Sequence, residues 1–192
     1  MKKILKKIPF YLGITSLILS SPLLSKASLQ TFDYAVDLNF EVDVNVDIGI
    51  DNMDLQRDLS VGSLAFIDQE GIQNQAEIIQ YAPTNTALIF QIGSFNEAYQ
   101  RQMGTQNLAF IYQEGNQNYA LQNQKGAGNQ AYILQQGDGN RALQYQESSN
   151  NFALILQIGY NNIAEQYQGG PGGYRSVIIQ EGNGNRVVVT QY

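Results

Sequence analysis

The side chains with the most evident chemistry here are primary amides, and they recur at fixed spacing. Gln69, Gln80, Gln91, Gln102, Gln113, Gln124, Gln135, Gln146, Gln157 and Gln168 stand eleven residues apart. A Gly-Gly-Pro-Gly-Gly stretch adds one residue, and the series resumes at Gln180 and Gln191. Asn keeps the same time at Asn74, Asn85, Asn96, Asn107, Asn118, Asn129, Asn140, Asn151, Asn162 and Asn185. A primary amide carries two N–H donors and a carbonyl acceptor, so identical amides stacked in register can satisfy one another. The chemistry this predicts is recognition of like by like through hydrogen bonds.

Bond-making chemistry has little to work with. The chain has no His and no Cys, which removes thiolate metal sites and the usual nucleophile–base pairs. Carboxylates in the repeats, such as Asp68, Glu70, Glu114, Asp138 and Glu181, are scattered over turn or outward positions. The expectation is a protein that is not an enzyme and takes no cofactor. Asp43, Asn45 and Asp47 imitate the first half of a calcium loop. Ile48, however, stands where that loop needs Gly, and Asp54 where it needs Glu. A solvated strand face is the simpler reading.

Positioning the amides requires regular elements. Four residues before each Gln lies a small residue, Ala from Ala65 to Ala164 and then Ser176 and Val187, while Gly often precedes the Asn by three. The run Ala-x-[Ile/Gln]-x-Gln alternates like a strand, and Gly and Asn suit tight turns of positive φ. Successive units differ at the central position. Odd units carry Ile67, Ile89, Ile111, Ile133, Ile155 and Ile178; even units carry Ile78, Gln100, Gln122, Gln144, Gln166 and Val189. The true repeat is therefore 22 residues, strand–arc–strand–arc, in six copies.

The fold predicted is all-β: a cross-β, amyloid-like β-solenoid of six rungs forming two facing parallel sheets. Rungs would stack about 4.8 Å apart, with Ala, Ile and Gln inward and amide ladders along the axis. Phase-locked Ala and Ile argue against a disordered low-complexity tract. Outward on the odd strands lie Phe66, Leu88, Phe90, Phe110, Tyr112, Tyr132, Leu134, Leu154 and Leu156, an exposed apolar strip of the kind that marks an interaction surface. The other possibility is that residues 36–51 cover it. The last repeat runs in phase through Val187 to Tyr192, presenting an open strand edge.

Two further segments precede the repeats. Lys2, Lys3, Lys6 and Lys7 before an apolar run, then Ser25-Lys26-Ala27, read as a signal peptide over 1–27, and hence as export. Residues 28–62 form an acidic segment in which Val36 to Asp51 alternate apolar and polar, a strand pattern. Five of the eleven Lys and Arg lie in 1–27 and none of the 17 Asp and Glu, so the remainder is strongly acidic. No nucleic-acid partner is expected of such a surface.

The pattern Gln-x-Gly-x-x-Asn-x-Ala-x-x-x-Gln resembles the curlin repeat of bacterial curli fibres. It stands intact at Gln69–Gln80, Gln91–Gln102, Gln113–Gln124, Gln135–Gln146 and Gln157–Gln168, with Val187 in place of Ala in the sixth copy. The resemblance covers residues 63–192. It implies a secreted subunit of a functional amyloid, found as an extracellular or cell-surface fibre (pilus or fimbrium) of the biofilm matrix and active in adhesion. Its partners would be itself and other curlin subunits, an outer-membrane secretion pore and periplasmic chaperones. Ala65-Phe66-Ile67-Asp68-Gln69 looks like the family's nucleator, the minor subunit that templates polymerisation, and this is the preferred reading. The regular final repeat is more like the major fibre subunit, which remains the alternative. A non-amyloid surface-binding solenoid is a remote third reading, since the outward positions lack an array of Thr.

Overall fold

The computed structural model describes residues 62–192. The expected leader, the alternating acidic strand and the calcium-like residues lie outside the described residues.

Among the described residues twelve strands follow one another, two per rung. They are β1 (Leu64–Ile72), β2 (Gln75–Gln80), β3 (Thr86–Ser94), β4 (Glu97–Met103), β5 (Leu108–Asn116) and β6 (Tyr119–Lys125). Then come β7 (Gln130–Gln136), β8 (Arg141–Gln146), β9 (Phe152–Ile158), β10 (Ile163–Gln168), β11 (Arg175–Glu181) and β12 (Arg186–Gln191). Odd strands form one six-stranded sheet in the order β1-β3-β5-β7-β9-β11, and even strands form the other, β2 to β12. All pairings are parallel, and like falls on like: Ala65 on Ala87, Ile67 on Ile89, Gln69 on Gln91. The fold is the expected β-solenoid, about six turns of about 22 residues.

The pleat explains which residues enter the core. Inward positions of a strand share one face, and Ala87, Ile89 and Gln91 of β3 are buried, as are Ala98, Gln100 and Gln102 of β4. The Ile column of the odd sheet packs with the Ala column of the even sheet, from Ile89 and Ala98 to Ile155 and Ala164. Large side chains thus meet small ones.

The arcs are built on left-handed backbone. Before each arc Asn stands a residue of positive φ: Gln73 at 57°, Phe95 at 58°, Gln117 at 56°, or glycine at the equivalent Gly139 and Gly184, both at 68°. For an L-residue this conformation costs roughly 1–2 kcal/mol. Bonds between stacked arcs offset it, as Phe95 N–H donating to the Ile72 carbonyl at 3.0 Å illustrates. The extra residue of the Gly-Gly-Pro-Gly-Gly stretch is absorbed within its arc. Gln180 still pairs with Gln157, and Gln191 with Gln168.

Candidate functional site: amide ladders and open strand edges

Each flanking Gln makes two kinds of bond. Along the axis, Gln69 Nε2 donates to Gln91 Oε1 at 2.6 Å, then Gln91 to Gln113 at 2.8 Å, Gln113 to Gln135 and Gln135 to Gln157 at 2.9 Å, and Gln157 to Gln180 at 2.7 Å. In the even sheet, Gln80, Gln102, Gln124, Gln146, Gln168 and Gln191 form the same chain at 2.8 to 3.0 Å. The second Nε2 hydrogen crosses the core. Gln102 reaches the Thr86 carbonyl beside Ala87, and Gln91 the Gln75 carbonyl beside Ala76. Because the two strands of a rung run in opposite directions across the core, the Gln ending one strand faces the Ala opening the other. Small Ala leaves room for that reach. The cross-core bond also fixes which amide end points along the axis.

A third ladder runs through the centre of the even sheet. Gln100 donates to Gln122, Gln122 to Gln144 and Gln144 to Gln166, each at 2.9 Å. Their second hydrogens go to the carbonyls of Leu88, Phe110, Tyr132 and Leu154 on the odd strands. At one end Gln166 donates to Ser176 Oγ at 3.0 Å. In sequence Ser176 reads only as another small residue in the Ala column; its hydroxyl is what closes this ladder. At the other end Gln100 Oε1 is buried with no hydrogen-bond partner. Such an orphaned acceptor costs about 1–3 kcal/mol.

Asn residues perform the same task in the arcs. Asn96 N–H donates to Asn74 Oδ1, Asn118 to Asn96, Asn140 to Asn118, Asn162 to Asn140 and Asn185 to Asn162, at 3.0 to 3.1 Å. Their Nδ2 groups hold the arc of the following rung: Asn118 donates to the Gly137 carbonyl and Asn162 to that of Gly182, both at 2.7 Å. Asn85, Asn107, Asn129 and Asn151 build a second column on the opposite arcs.

The outward odd-strand residues are less exposed than their sequence suggested. Leu88, Phe110 and Leu134 are buried, at 8%, 4% and 8% exposure, and Phe66, Phe90, Tyr112, Tyr132, Leu154 and Leu156 are half-buried. Stacking at rung spacing contributes to that shelter. Phe66 and Phe90 rings lie 5.5 Å apart, Phe90 and Phe110 5.9 Å, and Tyr132 and Phe152 5.7 Å. Exposed large apolar side chains are instead found at both end rungs, as on Ile67, Val177, Ile179 and Val188, and near the arcs, as on Ile72, Phe95 and Ile158. The Tyr112 hydroxyl donates to Glu114 Oε2 at 3.1 Å. Burial, then the Glu114 charge and this bond, push its phenol up to about 12.

Among the described residues both ends of the stack are sheet edges, and they are chemically opposite. Every flanking Gln donates towards the higher-numbered rung. At the β1/β2 end, Gln69 and Gln80 therefore present Oε1 acceptors that receive no donor among the described residues. At the β11/β12 end, Gln180 and Gln191 use one Nε2 hydrogen on the Ile163 and Arg175 carbonyls and keep the other for an acceptor beyond the last rung.

Residues 149–192 match the family model described as curlin associated repeat. They comprise the β11–β12 rung, the β9–β10 rung before it and the arcs between them. No curated protein matches the chain significantly.

Proposed function

We propose that this chain, whose residues 149–192 match the curlin associated repeat, is the subunit of a curli-type amyloid fibre that grows by templated addition at its strand edges. The observation that carries this reading is the opposite chemistry of the two edges. Donors left over on Gln180 and Gln191 match in kind and spacing the acceptors left over on Gln69 and Gln80. Sheet edges with unpaired backbone groups template further pairing, and in-register amide stacking is the structural logic of cross-β fibres. One folded copy thus orders the first rung of the next, with the Gln and Asn columns enforcing register.

Family resemblance supports export through an outer-membrane pore with periplasmic chaperones, and deployment in a biofilm matrix for adhesion. Frequent Ala-x-Ile-x-Gln odd strands favour the nucleating minor subunit over the major fibre subunit. Polymerisation is tested by thioflavin fluorescence of the purified chain: a lag phase is expected, and preformed seeds abolish it. A chain that stays monomeric and ignores seeds would overturn the reading. Substoichiometric addition to a major curlin subunit then separates the two roles, since a nucleator shortens the lag.

A further inference from the structure

The central columns of the solenoid are not uniform from end to end. The four middle rungs carry Ile in the odd strand and Gln in the even strand: Ile89 and Gln100, Ile111 and Gln122, Ile133 and Gln144, Ile155 and Gln166. The two end rungs have aliphatic side chains on both strands, Ile67 with Ile78 and Ile178 with Val189. The polar ladder therefore begins and ends inside the molecule.

Each termination needed a device or carried a penalty. Beyond Gln166 the column holds Val189, which accepts no hydrogen bond, and Ser176 Oγ takes the Nε2 hydrogen instead. Before Gln100 the column holds Ile78, and Gln100 Oε1 is left as the one buried side-chain polar atom without a partner among the described residues. A Gln at position 78 would satisfy it by the geometry that serves Gln122, Gln144 and Gln166. A local rule broken without local gain points to a requirement elsewhere. Here the broken rule lies one strand from an open edge.

The requirement follows from the sameness of the other columns. Gln, Asn and Ala recur on nearly every rung, so by themselves they would accept many registers between two copies. A central column that is aliphatic only at the ends distinguishes them. If the β11/β12 edge of one copy meets the β1/β2 edge of another, Val189 falls on Ile78 and Ile178 on Ile67, with no central amide to satisfy. If the same edge met a rung from the middle of a second chain, a central Gln would be buried against Val189 with its amide unpaired. Wrong registers are thus penalised by desolvation, and the polarity of one column marks the right one.

Resting on the polymerisation reading above, we infer that the aliphatic centres of the two end rungs are a junction code: they select the matching end of a second copy of this chain and set the register of the subunit boundary. Its cost is the orphaned Gln100 Oε1, and Ser176 is the stop that closes the ladder on the other side.

The test uses the full chain with Ile78→Gln, Val189→Gln and the double substitution, read by seeded elongation and by denaturant midpoint. Gln at 78 can donate to Gln100 Oε1, so I78Q is expected to fold with an equal or higher midpoint. Its elongation on wild-type seeds nevertheless falls about tenfold, because one buried amide then meets Val189 unpaired. V189Q alone slows in the same way against wild-type seeds. The double variant recovers on its own seeds to within about threefold of the wild-type rate, an amide pair having been re-formed across the junction, yet it templates the wild-type chain poorly. Elongation of I78Q at the wild-type rate, a double variant still slow on its own seeds, or free cross-seeding would each overturn the inference. Failure of I78Q to fold would also overturn it, since the site is argued to welcome that amide. A wild-type chain that never elongates would instead bring down the fibre reading itself, and this inference with it.

Discussion

Gln113 shows what a buried amide does in this molecule. It accepts from Gln91 at 2.8 Å, donates to Gln135 at 2.9 Å and donates across the core to the Glu97 carbonyl at 3.0 Å. Gln113→Ala leaves a donor on Gln91 and an acceptor on Gln135 unpaired and opens a cavity, so the folded state should lose about 2–4 kcal/mol. Gln100→Leu should cost less than about 1 kcal/mol, because it removes one orphaned acceptor and creates another at Gln122 Oε1. Denaturant midpoints of the two variants check the contrast. Tyr112 adds a pH dependence. Its phenol is raised in the folded state from 10.0 to about 12, so the protonated form is favoured by folding. That contribution is fully present below the unfolded value and is lost as pH rises through the folded one. Between about pH 10 and 12 the wild-type chain should therefore lose stability more steeply than Tyr112→Phe, in unfolding midpoints measured across that window.

At the scale of the element, strands are ordinary and arcs are demanding. Gly93 has φ of 117°, and a Cβ built there would lie 2.0 Å from the Gly115 carbonyl oxygen of the next arc. Stacking in register makes this close approach recur along the column, at Gly71 and Gly115 as at Gly93. Gly184 also has positive φ, 68°, but a Cβ there meets nothing within 4 Å. Gly184→Ala should cost about 1 kcal/mol for the left-handed backbone alone. Gly93→Ala must also push neighbouring arcs apart, and should cost more than about 3 kcal/mol. Thermal or denaturant unfolding of both variants distinguishes backbone preference from packing.

At the scale of the whole molecule, the described residues form a stack whose inner ladders are satisfied, Gln100 Oε1 apart, and whose ends are not. That separation predicts that stability and growth respond to different residues. Replacing Gln180 and Gln191 together with Ala removes the donors offered beyond the last rung, while each has only one neighbouring rung to lose. Elongation on wild-type seeds should fall about tenfold. The same change at Gln113 and Gln124 should lower the denaturant midpoint further than it does at the ends. Equal elongation losses per unit of stability lost, at ends and middle alike, would contradict growth at the edges.

Periodicity alone determined the repeat length, the inward columns and the pairing of like on like, because strand alternation and in-register stacking leave few other ways to place Ala65, Ile67 and Gln69. It also showed that odd and even strands differ at the centre. Tertiary structure decided what depends on contacts across the core and between rungs of unequal composition. The reach of Gln102 to the carbonyl beside Ala87, and the left-handed backbone at Gln73 and Phe95, are set by the facing strand and the neighbouring arc. Burial of Leu88, Phe110 and Leu134 depends on neighbours that no single strand reveals. Ser176 is one more small residue until its hydroxyl meets Gln166, and Gln100 is one more ladder amide until Ile78 is seen to leave its oxygen without a donor. A repeat specifies what is common to its copies; the closing of the ladder and the character of the ends lie in where the copies differ, and only stacking shows which differences meet.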